Sequence, residues 1–338
     1  MGSLLYRIVR FASCAGGCLI RIIHISDLHF GKTKTRTQKA QRLLKNVLKI
    51  FPPDKNTYYM ITGDTIDNLC LTTNAWKKQY KVAADALSNF KKNLIIVPGN
   101  HDYGFGGFGY SKKCSDYFDE CFMPTVGATH KYRTKRPWHR ILKDEEGNQV
   151  SVVGLNSCLM TDSPLGIAKG EVGEKQRAAL DMILSDPEYK GVPKIVYLHH
   201  IPHRRAKGIG MSLSDYKKLM ALVKGRIKAF AFGHEGSMKD PEARKAKIAP
   251  LLTPPMMIRY GPAHKIKYYL DANASVDNQA CYCIEATGRD IVARFVKCRK
   301  LVREGVGMTK PLGTKTKGKA EKKTSRRKSG GVSVPGRI

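Results

Sequence analysis

Five short segments of this 338-residue chain carry side chains able to grip a cation, each just past a stretch that reads as a buried strand. They are Asp27-Leu28-His29, Gly63-Asp64-Thr65-Ile66-Asp67, Gly99-Asn100-His101-Asp102, His199-His200 and Gly233-His234-Glu235-Gly236. Strand ends carry loops along one edge of a sheet, so donors scattered over some two hundred residues can meet in one cleft. Aspartate and histidine together suit divalent first-row metals, and a carboxylate can bridge two of them. Paired cations of that kind suit the hydrolysis of phosphate esters, where a weak nucleophile must approach a centre that is already negative.

Asp27 and His29 stand two apart in one loop and can both turn toward one ion. Asp64 can bridge two ions with its two oxygens, Asn100 offers a neutral oxygen, and His199 and His234 supply imidazole nitrogens. A lone loop histidine is more often structural than a ligand; it is the succession of such residues at strand end after strand end that argues against coincidence. Asp67 and Asp102 read equally well as loop caps or as supports for neighbouring ligands. Directly after Asp102, Tyr103 to Tyr110 interleave aromatics with glycine. That loop is either a flap on which a base could stack or a turn whose aromatics pack on the core.

The elements that must position these residues follow from periodicity. Arg21–Ile25, Tyr58–Thr62 and Leu94–Val97 read as strands. Between them lie helical stripes, one through Ala40, Leu43, Leu44, Val47 and Leu48, the other through Trp76, Tyr80, Ala83 and Leu87. Strand–helix–strand alternation predicts a parallel sheet. The second half repeats it, with strands at Val150–Leu155, Ile195–Leu198 and Ile227–Phe232 and helices at Glu174–Ser185 and around Tyr216–Val223. Shorter strands are expected around Ala280–Ile284 and Ile291–Phe295. Two strand sets flanked by helices predict an α/β fold, a four-layer α/β/β/α sandwich, with the sheet order left open.

The segments D-x-H, G-D-x-x-D, G-N-H-D, a later His and a G-H-x-H-like element follow one another in the order of the calcineurin-like metallophosphoesterase superfamily, which residues 21–300 resemble. Ile25-Ser26-Asp27-Leu28-His29-Phe30-Gly31, Leu155-Asn156-Ser157, and Gly170 with Gln176 and Leu180 are most similar to its class III cyclic-nucleotide phosphodiesterase branch. The resemblance implies a cofactor of two divalent ions, such as Mn2+, Fe2+/Fe3+ or Zn2+. One would be held by Asp27, His29 and Asp64; the second would share Asp64 and add Asn100, His199 and His234, with His200 as the alternative to His199. It further implies attack on the phosphate ester by hydroxide lying between the metals, with His101 as proton donor to the leaving alkoxide. Asp102 would orient that imidazole or support the ligands. One departure stands out: Gly236 occupies the place of the family's last imidazole, so the first metal needs water, Glu235 or His203 instead, or binds weakly.

Composition adds partners rather than fold. Sixty Lys and Arg against 28 Asp and Glu give a net charge of +32, a field that favours nucleic acid, anionic lipid or phosphorylated substrates. Residues 305–338 hold ten of the basic residues and one glutamate, a basic tail too polar to fold alone, and they leave +23 on the rest. The nine cysteines lack zinc-finger spacing and read as reduced thiols in a cytoplasm. Arg7 and Arg10 interrupt the apolar run from Leu4 to Phe11, so no transmembrane segment is expected there, and residues 1–20 read as an extension. Residues 21–304 would form the catalytic domain. Three functions follow: a phosphodiesterase of nucleotide-type esters, a nuclease on the same scaffold, and a binding protein that keeps the fold without turnover.

Overall fold

The structure is a computed structural model, and it describes residues 19–68, 73–104, 110–122, 137–158, 170–202, 213–234, 257–258, 265–272 and 275–298. His203, Glu235, Gly236, the aromatics Phe105 and Phe108, the basic tail and residues 1–18 lie outside them. All described residues fall in one compact unit, Met1–Lys300.

Strand β1 (Ile20–Ile25) is followed by α1 (Lys34–Ile50), β2 (Thr57–Thr62), α2 (Thr73–Leu87) and β3 (Leu94–Val97). The three strands pair in parallel, as the alternation predicts. Helix α1 starts where the Thr33 side chain accepts the Arg36 amide, and it buries Ala40, Leu43, Leu44 and Val47. The sheet is nevertheless mixed. Strands β10 (Ala280–Thr287) and β11 (Asp290–Lys297) add to its edge antiparallel, giving the order β11-β10-β1-β2-β3. Each of the two is eight residues long, not the shorter strands expected, because a tight Gly288 turn lets them pair over their whole length.

The second sheet runs β4-β5-β6-β7-β9-β8. Its strands are β4 (Trp138–Lys143), β5 (Gln149–Gly154), β6 (Lys194–Tyr197), β7 (Ala229–Phe232), β8 (Met257–Ile258) and β9 (Tyr268–Asp271). β5, β6, β7 and β9 are parallel to one another, with β4 and β8 antiparallel at the edges. Period-two alternation assigns their two faces. Val150, Val152, Ile195, Tyr197, Ala229 and Ala231 join the large core shared with the first sheet and with α1 and α2. Val153, Leu155, Val196, Leu198, Phe230 and Phe232 join a second core with Leu180 of α5 (Glu174–Ser185) and Leu219 of α6 (Tyr216–Val223). Two sheets with buried residues on both faces, each covered by helices, make the α/β/β/α sandwich. The parallel strands β1, β2, β3, β6 and β7 end on the five segments that carry the donors.

One fully buried group outside those segments is His24 on β1, whose Nε2 lies 2.9 Å from Thr62 Oγ1. Burial lowers its pKa from 6.5 to about 3. Above pH 6.5 the imidazole is neutral in both folded and unfolded chains; below it the unfolded chain binds a proton that the native state refuses. Stability is therefore expected to fall with acidification between pH 6.5 and about 3, by ~1.4 kcal/mol per unit for this proton. Urea midpoints at pH 6 and pH 4 should drop less in His24→Gln than in the parent, and equal drops would refute the assignment.

Candidate metal centre

The loops after β1 and β2 are zipped together by their backbones. Asp27 N–H donates to Gly63 O at 3.2 Å, His29 N–H to Asp64 O at 2.9 Å, and Phe30 N–H to Thr65 O at 3.0 Å. In making these turns Asp27, His29 and Asp64 adopt φ of 55°, 47° and 51°, and His234 after β7 adopts 74°. Left-handed backbone at a non-glycine residue costs on the order of 1–2 kcal/mol, and its clustering on four candidate ligands marks a site where geometry overrides local preference. Gly99 is a glycine for a steric reason: a Cβ there would overlap Asp64 Oδ1 and the Asp64 backbone nitrogen.

Asp64 is the hub. Its Oδ1 accepts the His101 amide at 3.0 Å, while Oδ2 lies 3.5 Å from His29 Nε2 and 3.3 Å from His199 Nε2. Among the described residues, the ligand atoms of His29, Asp64 and His101 all lie within 4.8 Å of one another, and so do those of Asp64, His199 and His234. Asp27 borders the first group: Oδ2 accepts the His234 amide at 3.1 Å, and Oδ1 stands 3.8 Å from His29 Nε2. Asn100 Oδ1 is 2.9 Å from His199 Nε2. All six ligands expected from the sequence thus reach one cleft. The two candidate histidines have different surroundings. His199 faces Asp64, whereas the His200 ring stands 2.8 Å from Ser157 Oγ over Gly170, where a Cβ would overlap that ring.

The donor set fits a pair of cations. His199 Nδ1 lies 2.8 Å from Thr62 O, an acceptor only, so Nδ1 carries the proton and Nε2 presents a lone pair. That lone pair faces Asp64 Oδ2, Asn100 Oδ1 and, at 2.9 Å, His234 Nδ1. Either a proton on His234 Nδ1 or a cation between these atoms relieves that crowding of acceptors. Among the described residues, Asp27 Oδ1 and His29 Nε2, both buried, have no hydrogen-bond partner and stand 3.8 Å apart in the same cleft. Without metal, protons take over that task. Burial opposes a charge on His199, yet Asp64 and Asp27 outweigh it and raise its pKa to about 9. Burial pushes Asp27 up to about 6, helped by Asp64 against His199 and His29. Metal binding must therefore displace protons.

Asp102 is placed otherwise than an acid–base partner of His101 would be. Its carboxylate accepts backbone N–H groups from Gly99 at 2.9 Å, Thr65 at 3.0 Å and Ile66 at 3.2 Å. It caps the turn Asn100–Tyr103, which is helical, and ties the Asp64 loop to the Asn100 loop. Asp67 supports ligands: its Oδ1 is 3.3 Å from His29 Nδ1 and its carbonyl is 2.6 Å from His101 Nδ1. Tyr103 is buried edge-to-face against Tyr110 and Phe118, so the two described ends of the glycine–aromatic loop pack on the core. Sequence reasoning missed Arg36, whose guanidinium donates to Asp27 O at 2.6 Å and pairs with Asp277 at 2.7 Å. Its place on a basic helix face gave no signal.

The family model described as Calcineurin-like phosphoesterase matches residues 20–238, which contain every one of these donors. The chain belongs to that family. As a calcineurin-like phosphoesterase with two ligand groups sharing a carboxylate, it is a metal-dependent phosphoric ester hydrolase by family and by donor set. Solved structures resemble this phosphoesterase in fold. A dimetal phosphatase from Danio rerio matches with TM-score 0.57 at 11% identity, over 82% of this chain and 99% of that one. The Plasmodium protein GAP50, titled the anchor in the inner membrane complex, matches with TM-score 0.53 at 13% identity, over 84% and 86%. Among curated proteins none matches significantly. No helix of the described residues is long and apolar enough to cross a membrane.

Proposed function

We propose that this phosphoesterase is a phosphodiesterase of nucleotide-type esters, with cyclic nucleotides as the first class to try. The observation that carries the reading is Asp64, shared by two imidazole-bearing groups in one cleft. Asp27, His29 and Asp64 would hold one divalent ion, and Asp64, Asn100, His199 and His234 the other. When bound, the pair lowers the pKa of a water and screens the phosphoryl oxygens. The chain supplies the rest. Thr62 fixes the tautomer of His199, Asp67 borders His29, Arg36 anchors the Asp27 backbone, and the Asp102 staple sets the distance between the Asp64 and Asn100 loops. Asn156, Ser157, Gly170 and Gln176, which carry the class III similarity, buttress His200 and its loop; Gln176 clamps Asn156 through both its N–H and C=O. The free thiols at Cys114, Cys121, Cys158, Cys281, Cys283 and Cys298 support a cytoplasmic setting.

A nuclease is the second reading, supported by the net charge of +32, and a binding protein without turnover is the third, supported by Gly236. Manganese-loaded protein is expected to hydrolyse bis-p-nitrophenyl phosphate and a cyclic nucleotide, with only a shallow salt dependence. A nuclease would instead cleave DNA or RNA with affinity falling steeply in salt, by roughly 0.9 per neutralised phosphate on a log–log plot. Metal uptake without turnover on any of these substrates, with manganese, zinc or iron, would overturn both enzymatic readings.

A further inference from the structure

His101 stands where the sequence offers a proton donor, but the surroundings of its ring describe a ligand. The carbonyl of Asp67 lies 2.6 Å from His101 Nδ1. A carbonyl only accepts, so Nδ1 carries the proton and Nε2 is the ring nitrogen left for a cation. Asp67 also borders His29, its Oδ1 standing 3.3 Å from His29 Nδ1 without the geometry of a hydrogen bond, while His29 Nε2 faces Asp64. One aspartate thus holds the His101 ring and borders that of His29. Their rings meet edge-to-face, with centroids 4.8 Å apart. Support of this kind, an N–H held by an oxygen on the far side of the ring, is how proteins orient histidine ligands.

The two groups around Asp64 then have the same composition. His29, Asp64 and His101 on one side and Asp64, His199 and His234 on the other each comprise two imidazoles and the shared carboxylate, with ligand atoms within 4.8 Å of one another. By the family resemblance the first group is the one short of a donor, because the residue two places after His234 is Gly236. Asp27 Oδ1 and His29 Nε2 are buried there with no hydrogen-bond partner. An imidazole is the like-for-like replacement for a missing imidazole, and imidazole suits zinc, iron and nickel.

We propose that His101 is a ligand of the first metal, so that each ion is held by two imidazoles and the common Asp64. The proposal rests on the reading of the cleft as a two-metal centre and deepens it. It requires no residue outside the described set, and it makes His101 a group whose loss changes metal content before it changes chemistry.

The experiment is manganese binding to the full-length protein after removal of metals, read as free Mn2+ by electron paramagnetic resonance. The parent is expected to take up two equivalents. His101→Ala and His101→Gln should each keep one tight equivalent and bind the other at least tenfold more weakly, and adding Gly236→His to either should restore it. Two equivalents at parental affinity in both His101 variants, with hydrolysis lost, would overturn the proposal in favour of a proton donor. A His101→Ala protein that weakens both equivalents equally would overturn it too, since a ligand of the first ion alone cannot do that. If the parent takes up neither manganese nor zinc, the two-metal reading itself fails, a result distinct from either of these.

Discussion

Asp64→Ala is expected to strip both cations from the protein and to lower turnover of a phosphodiester by about a thousandfold or more. The size follows from position. Oδ2 lies within 3.5 Å of ring nitrogens from both ligand groups, so one substitution removes a donor from each. It also leaves Asp27 as the remaining carboxylate beside His29 and His199, which weakens the hold on a returning cation. Neighbouring single ligands should do less: His234→Ala removes one donor from one group. The two variants are compared by metal content after dialysis against limiting manganese and by hydrolysis of bis-p-nitrophenyl phosphate. Circular dichroism of the metal-free proteins checks that Asp64→Ala still folds. Retention of two manganese ions with activity within tenfold of the parent would refute the bridging role of this carboxylate.

Much of this centre was legible in the sequence because the physics is local. A carboxylate or imidazole one or two residues beyond a β-branched run must sit at a strand end, and parallel strands bring such ends to one edge. That placed Asp27, His29, Asp64, Asn100, His199 and His234 correctly in one cleft without knowledge of the sheet order. Helix Glu174–Ser185 was visible to the residue, since apolar periodicity runs unbroken to a polar stop. Other elements carried no such pattern. Strand β4 reads Trp-His-Arg-Ile-Leu-Lys, half-exposed at a sheet edge, so its alternation is blurred by charge. Strand β9 is four residues long and is defined by pairing with β7, a contact remote in sequence. The helix Lys112–Phe122 buries Cys114, Phe118 and Phe122 on a face that short spacing hid among polar residues.

The residues that aim the ligands were the least legible. Thr62 acts through its carbonyl, which every residue type possesses. Arg36 reaches Asp27 from a helix whose other basic side chains look outward. Asp67 was visible as a carboxylate beside a ligand, but its two contacts, one through Oδ1 and one through the carbonyl, emerge only once both imidazoles are placed. Side-chain chemistry is written in the sequence; the backbone groups that orient it depend on the fold.

Asp102 gives the second large effect, and it separates positioning from catalysis. Its two oxygens take the amides of Gly99, Thr65 and Ile66, all buried, and the Tyr80 hydroxyl donates to its own carbonyl at 2.5 Å. In Asp102→Ala three buried backbone N–H groups lose their acceptor. At about 1–3 kcal/mol for each orphaned buried donor, the loss approaches the whole stability of an ordinary domain. Asp102→Asn keeps one acceptor oxygen but turns an amide donor toward the other N–H groups, and a loss of about 2–4 kcal/mol is expected from urea unfolding at pH 7.5. The same staple holds the loop of Asp64 against that of Asn100, so manganese affinity should weaken in the Asn variant even where the protein remains folded. An acid–base role would give the opposite pattern: turnover lost, with unfolding midpoint and manganese affinity at parental values. The amide geometry selects the first outcome, because both carboxylate oxygens are already committed to the backbone.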